Sequence, residues 1–151
     1  MLVDRIDVLR EAVRRVRTRA PCHIDAWVVL PEHLHCICTP PPDDDDYSGR
    51  SHALKASFAT VLPRTEWRSA ARVRKGERGI WQRRFRQHSI RDERDYATHM
   101  DDVHFNPVKH GLVARAADWP YSSFPLCMTR GLYAADWNMR GADPAELAER
   151  R

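Results

Sequence analysis

Apolar side chains recur with a helical period at the start of the chain. They lie at steps of three and four residues, with arginines between them: Leu2, Ile6, Leu9, Val13 and Val16. This spacing predicts an amphipathic helix over residues 2–19 that buries one face in a core. A similar but weaker pattern predicts a second helix over residues 52–62.

Two apolar segments rich in β-branched residues follow the first helix. Residues 23–30 read HIDAWVVL and residues 33–39 read HLHCICT. With Pro31 between them, they predict two strands, or one strand interrupted at the proline. Three prolines and four aspartates occupy residues 40–46 and predict an exposed loop.

The second half of the chain contains one more clear helical pattern, over residues 92–105. Asp92 and Glu93 place negative charge at the positive end of the helix dipole, and Asn106 with Pro107 predicts the end of the helix.

Less regular segments surround this helix. Residues 64–79 are too basic and irregular for a core element, whereas residues 80–90 predict a strand. Beyond Gly111, aromatic and turn residues predict an irregular segment that packs against the domain.

The length of 151 residues allows one compact domain. We expect a domain over residues 1–137 and a flexible tail over residues 138–151. No apolar run reaches the roughly 18 residues of a membrane span, and the charged first helix is unlike a secretory signal. These patterns predict a cytoplasmic protein without a membrane partner, and they leave the oligomeric state, monomer or dimer, open.

Basic residues concentrate between Arg64 and Arg94, where eleven basic side chains outnumber four acidic ones. Cations that neutralise phosphates, beside rings that stack on bases, favour a surface for single-stranded nucleic acid. We therefore predict DNA contacts from one aromatic and three basic residues: Trp81, Arg83, Arg84 and Arg86. A solvated basic face is the alternative interpretation of the same charges.

Two histidines stand one residue apart in the second predicted strand. His33 and His35 would project from the same face, which offers two imidazoles to a metal ion. On the third helix, Asp102 and Asn106 lie four residues apart, with His99 one turn earlier, and supply candidates for a third ligand. Imidazole with amide or carboxylate oxygen suits Mg²⁺ or Mn²⁺. The alternative is a histidine pair that occurs by chance.

Five short motifs, in this order, resemble the REP-associated tyrosine transposases, which are single-stranded-DNA transposases of the His-hydrophobic-His nuclease superfamily. They are HLH at residues 33–35, GIWQRRF at 79–85, IRDERDY at 90–96, NPVKHGLV at 106–113 and DWPYSSF at 118–124. The resemblance covers residues 2–137. It implies a ferredoxin-like α/β (α+β) fold, in which an antiparallel sheet carries the histidines on a central strand and helices pack on one face.

The resemblance also implies a chemistry. Family members cut and rejoin single-stranded DNA at hairpin elements, with a metal ion on the scissile phosphate and a tyrosine nucleophile on the late helix. Carried over, the metal ligands are His33, His35 and Asn106. The nucleophile position, four residues before the asparagine, is occupied by Asp102. Tyr96 is a poor substitute, because ten helical steps turn it about 120° away from Asn106.

The chain also differs from the family at its beginning, because it starts at the first helix rather than at a Tyr-Phe-x-x-Thr strand. This predicts a sheet that lacks its first strand, with Met1 either internal to a longer reading frame or the start of a decayed copy. His104 and His110, on either side of Asn106, are expected in surface or capping roles. Tyr47, Tyr121 and Tyr133 are expected to serve in packing.

Three functions are compatible with these features. The first is a DNA-binding, metal-dependent transposase or nuclease for single-stranded hairpin DNA, catalytically impaired at Asp102. The second is a non-catalytic, domesticated module that binds hairpin DNA or RNA. The third is a metalloenzyme unrelated to DNA, which leaves the basic segment unexplained.

Overall fold

The structure is a computed structural model that describes residues 2–62, 70–75 and 87–137, with Arg72 described in its backbone only. Its described elements are five helices and two strands: α1 (Ile6–Arg19), β1 (His23–Val29), β2 (Leu34–Thr39), α2 (Tyr47–Val61), α3 (Ala70–Arg74), α4 (Glu93–Lys109) and α5 (Phe124–Thr129). Short 3₁₀ turns occur at Val3–Arg5 and Ala116–Asp118.

These elements fall into two compact units. The first contains the described residues of 1–6, 22–39 and 90–151, and the second contains residues 7–21 and the described part of 40–89. The expectation of a single domain over residues 1–137 therefore stays a prediction. The tail at 138–151 lies outside the described residues.

The first unit is built on an antiparallel hairpin of β1 and β2. His23 pairs with Thr39 at one end and Val29 with Leu34 at the other, with an irregularity between Ile24 and Ala26. Two strands separated at Pro31 are therefore confirmed.

Helix α4 covers one face of this hairpin. Ala26, Val28 and Ile37 point to that face and form a buried cluster with Met100 and Val103 of α4. Because alternate strand residues share a face, His35 lies on the α4 side together with Ile37. An antiparallel sheet with helical packing on one face agrees with the predicted fold class.

After α4 the chain returns along the other edge of β1. Val29 N–H donates to the Tyr121 carbonyl at 2.8 Å, and Ser123 N–H donates to the Trp27 carbonyl at 2.9 Å. The Trp119 indole N–H adds a bond of 2.9 Å to the Val29 carbonyl. The irregular segment beyond Gly111 thus packs on the sheet as predicted.

The end of α4 differs from the prediction, because Pro107 lies inside the helix instead of terminating it. One proline near the C-terminus removes only one backbone bond, so the helix continues for two more residues. The helix ends at Lys109, and Gly111 terminates it with a φ of 70°, a conformation that glycine adopts most readily. Gly111 N–H bonds to the Val108 carbonyl and Leu112 N–H to the Pro107 carbonyl, which is a Schellman motif.

The second unit contains α2, which begins five residues before its predicted start. Asp46 causes the difference, because its carboxylate accepts the Gly49 N–H at 2.9 Å and caps the first turn. The buried Arg50 guanidinium donates to the Pro21 carbonyl at 3.0 Å and binds the Asp44 carboxylate. The aspartate loop is therefore attached to the end of α1.

The segment between α2 and α4 is described only in part. Residues 70–74 form the short helix α3 where we expected irregular structure. Residues 87–90 have no regular structure, and the rest of the predicted strand at 80–90 lies outside the described residues. None of the described helices combines the length and apolar character needed to cross a membrane.

Candidate functional site

The candidate site begins with the predicted histidine pair. His33 lies in the turn just before β2, and His35 is the second residue of that strand. Their ring centroids are 5.0 Å apart and the rings meet edge to face at 88°. The His-Leu-His spacing therefore brings two imidazoles together, as predicted. His33 is half-buried and His35 is exposed.

A third imidazole contacts this pair. His110, the residue that ends α4, places its ring centroid 5.3 Å from that of His33. His110 is exposed and caps the end of α4, as expected, and its ring also contacts His33, which was not expected. Asp102, Asn106 and His110 are spaced four residues apart, so they share one face of the helix. This spacing is the feature of the sequence that could have indicated a position for His110 near the site.

Asn106 lies one turn before His110 and is 4% exposed. Its side-chain amide donates to the Asp102 carbonyl at 3.0 Å, which leaves the amide oxygen for another partner. Within the described part of the chain, no hydrogen bond joins Asn106 to His33 or His35. Of the three predicted metal ligands, His33 and His35 are therefore adjacent. Asn106 lies on the face of α4 that ends with His110, beside His33. Asp102, on the same stripe, is half-buried.

The protonation of His33 suits a ligand role. Burial lowers the pKa of this imidazole, the nearby His110 lowers it further, and Glu32 acts in the opposite direction. The neutral imidazole, which is the form that binds metal ions, is therefore favoured at His33. Two adjacent imidazoles beside a helix that carries an amide oxygen form a donor set that fits a divalent ion.

Tyr96 lies at the other end of the sheet. Its hydroxyl donates to Asp25 at 3.1 Å, and Asp25 also accepts the Thr39 hydroxyl at 2.7 Å. Ten helical residues separate Tyr96 from Asn106, or about 15 Å along the axis. The distance supports the expectation that Tyr96 does not replace the family nucleophile. Burial, more than the Asp25 charge, raises the pKa of Tyr96.

His104 differs from its predicted surface or capping role, because it is fully buried. Its Nε2 lies 2.7 Å from the Ser123 hydroxyl and its Nδ1 lies 3.2 Å from the Tyr133 hydroxyl. Tyr133 in turn donates to Asp101 at 3.0 Å. Burial lowers the pKa of His104 to about 4, so the ring is neutral at pH 7. Two residues, or about 200° of helical rotation, separate His104 from Asn106, so the two side chains lie on different faces of α4, and packing shows that the His104 face points into the core.

The remaining predicted tyrosines lie in different surroundings. Tyr47 opens α2 in the second unit, and Tyr121 contacts Trp119 with ring centroids 5.4 Å apart. Tyr133 packs among His104, Phe124 and Trp137. The predicted DNA contacts Trp81, Arg83, Arg84 and Arg86 lie outside the described residues.

Two known proteins that are similar to this chain in sequence are both described as REP-associated tyrosine transposases. The REP-associated tyrosine transposase of Escherichia coli (strain K12) is 42% identical over 137 residues, which are 91% of this chain and 75% of the relative. A putative REP-associated tyrosine transposase of Haemophilus influenzae is 41% identical over 138 residues, with 90% and 78% of the two chains covered. No protein-family model matches the chain.

A solved structure is also similar. It is a REP-associated tyrosine transposase bound to a REP hairpin, with a TM-score of 0.77 and 42% sequence identity over 94% of this chain and 76% of that one. Identity above 40% over nine-tenths of the chain, together with this similarity in fold, confirms the resemblance that the five motifs carried. The chain belongs to the family of REP-associated tyrosine transposases.

Proposed function

We propose that this protein binds single-stranded hairpin DNA and holds a divalent ion, Mg²⁺ or Mn²⁺, with His33, His35 and Asn106. The observation that carries the proposal is the relative of the same fold that is bound to a REP hairpin. The adjacent imidazoles of His33 and His35 support the metal site independently, and His35 lies on the sheet face covered by α4.

When bound, the ion supplies Lewis-acid polarisation of a phosphate oxygen. The protein residues have separate tasks. His33 and His35 offer ring nitrogens from the turn before β2 and from β2 itself, and Asn106 offers an amide oxygen from a buried position on α4. Because two elements of one packed core carry these groups, their relative positions are set before DNA binds.

The basic segment supports the DNA part of the proposal. Arg83, Arg84 and Arg86 carry charges that neutralise phosphates, and Trp81 offers a ring for base stacking. In this proposal these residues make contacts that position the DNA strand without reading its sequence.

Asp102 is the reason that we propose impaired cleavage. It occupies the position of the family tyrosine, and a carboxylate that attacked phosphorus would form a reactive acyl phosphate. Its negative charge also repels the approaching phosphate. We therefore infer that DNA and ion binding persist while covalent strand cleavage is weak or absent.

A nicking assay on a single-stranded hairpin tests the catalytic part. The purified chain is incubated with Mn²⁺ and labelled hairpin DNA, and covalent protein–DNA product is measured for wild type and Asp102→Tyr. We expect no covalent product from wild type, and product from Asp102→Tyr if the restored phenol reaches the phosphate. A robust covalent product from wild type contradicts the proposal that strand cleavage is impaired.

The non-catalytic binding module remains the second candidate, and Asp102 is the feature that favours it. The two functions differ in their dependence on metal. If hairpin affinity is unchanged by chelator and by the double variant His33→Ala/His35→Ala, the module is correct. If affinity or cleavage depends on Mn²⁺ and on these histidines, the metal-dependent protein is correct. His52→Ala, an exposed histidine of α2, is the matched control.

A further inference from the structure

We propose that His110 supplies a third imidazole to the ion site of His33 and His35, and that the site therefore prefers an imidazole-binding transition ion to Mg²⁺. The inference rests on the proposed function for the existence of the site. The inference goes beyond the proposed function in two respects, the ligands of the ion and the class of ion. Mn²⁺, Co²⁺, Ni²⁺ and Zn²⁺ are the candidate ions.

The first observation is the arrangement of the three rings. His33 lies in the middle, 5.0 Å from His35 and 5.3 Å from His110 between ring centroids, with both contacts edge to face. His35 and His110 are exposed, whereas His33 is half-buried between them. A shared ion would require one nitrogen of each ring to approach a common point beside His33, at metal–nitrogen distances of about 2.0–2.1 Å.

The second observation concerns hydrogen bonding. Among the described residues, neither the His33 ring nor the His110 ring has a hydrogen-bond partner, although His33 is half-buried. The other buried histidine of this unit, His104, bonds through both of its nitrogens. Since partly buried imidazoles are normally satisfied by protein or water, the pair is available for an ion.

The third observation is the rigidity of the helix end. His110 N–H bonds to the Asn106 carbonyl at 3.0 Å, and the Schellman motif at Gly111 fixes the next two residues. One stripe of α4 carries Asp102, Asn106 and His110, and it ends with His110 against His33. The backbone of His110 is therefore ordered before an ion binds, and only the rotation of its side chain remains to be fixed.

The chemistry of the donors determines the class of ion. Two imidazoles with an amide oxygen are compatible with Mg²⁺ or Mn²⁺, but each further imidazole favours ions later in the transition series. Mg²⁺ prefers oxygen ligands and keeps most of its water. Three imidazoles should therefore shift the selectivity of the site away from Mg²⁺.

Spectroscopic titration of the full chain with Co²⁺ tests the inference without any measurement of activity. Visible absorption and calorimetry are recorded for wild type, His110→Gln, His33→Gln and the control His52→Gln. We expect His110→Gln to lose about tenfold to a hundredfold in Co²⁺ affinity, as ligand-shell changes typically do, and to alter the absorption bands. Its Mg²⁺ affinity should stay within about twofold of wild type, since Mg²⁺ prefers oxygen ligands and water and gains little from a third imidazole.

The outcomes separate this inference from the proposed function. If His33→Gln abolishes Co²⁺ binding while His110→Gln leaves affinity and spectrum unchanged, only the role of His110 is wrong. If His33→Gln also has no effect, the ion site itself is wrong and the inference falls with it. If His110→Gln weakens Co²⁺ binding but the protein does not bind hairpin DNA, the inference stands and the proposed function fails.

Discussion

At the scale of single residues, a network of hydrogen-bonded polar groups surrounds the buried His104. It runs from Asp101 through the hydroxyl of Tyr133 to His104 and then to Ser123. Ser123 also accepts the Trp27 N–H at 3.0 Å, so the chain links α4, the segment beyond it and β1. A satisfied network of this kind specifies one packing arrangement, whereas a broken one leaves buried groups without partners.

Removal of the Tyr133 hydroxyl tests this network. Tyr133→Phe removes the hydroxyl group that contacts both Asp101 and His104. We expect a loss of about 1–3 kcal/mol in the free energy of unfolding. Urea denaturation followed by circular dichroism measures the change. Tyr121→Phe is the control, because its hydroxyl has no hydrogen bond among the described residues, and it should be nearly neutral. Equal stability of the two variants contradicts a structural role for the network.

At the scale of elements, the ends of α4 determine where its side chains lie. Asp92 accepts the Asp95 N–H at 2.8 Å and caps the beginning of the helix, as the acidic start predicted. Gly111 terminates it with a positive φ, beyond the proline that was expected to do so. Termination at Gly111 places His110 beside the histidine pair, so this helix end contributes directly to the candidate site.

Substitution at Gly111 tests the role of that helix end. Open space surrounds the position of a Cβ atom there, so the backbone conformation alone opposes a side chain. We expect Gly111→Ala to lose about 1 kcal/mol of stability, and Gly111→Asn to lose less, because asparagine tolerates positive φ. Thermal unfolding of both variants measures the difference. An alanine variant as stable as wild type would show that the helix ends elsewhere in solution.

The contact between the aspartate loop and α2 predicts a dependence of stability on pH. The hydrogen bond from Arg50, the Asp46 backbone and the Arg50 charge together lower the pKa of Asp44 to about 2, with the Arg50 bond as the largest cause. The folded pKa lies below the unfolded value of 3.8, so the stabilisation is present above pH 3.8 and is lost as the pH falls through 2.

Unfolding experiments between pH 5 and pH 2 measure this dependence. Over that window, Asp44→Asn should lose less stability than wild type, because the residue that titrates has been removed. Asp45→Asn, an exposed neighbour in the same loop, should follow the wild-type curve. If Asp44→Asn also follows that curve, the pair with Arg50 contributes nothing to folding.

At the scale of the whole molecule, charge distribution predicts how affinity for DNA responds to salt. The net charge is only +4, but the segment from Arg64 to Arg94 is strongly basic. Arg83→Ala should lower the slope of log affinity against log salt by about 0.7 for a single strand, equally for all hairpin sequences. The control Arg10→Ala removes an arginine that is already near Asp7, at 3.7 Å, and should leave the slope unchanged. Loss confined to one hairpin sequence would instead indicate direct base readout.

Much of this protein was determined by local sequence patterns. The amphipathic helix at the start, the two strands around Pro31, the capped start of α4 and the pairing of His33 with His35 all follow from periodicity and short-range chemistry. Such features depend on neighbours within a few residues, so the pattern of side chains contains the information. The five ordered motifs identified the family for the same reason, because their residues and spacings are read directly from the chain.

Other features were decided only by the tertiary structure. Spacing along α4 does not reveal that His104 faces the core while His110 contacts His33, because both depend on how the helix rotates against β1 and β2. The end of α4 depended on Gly111 and its backbone conformation rather than on the nearer proline. These properties arise from contacts between residues far apart in sequence, and the packing of the sheet against the helix selects one arrangement from several that local preferences allow.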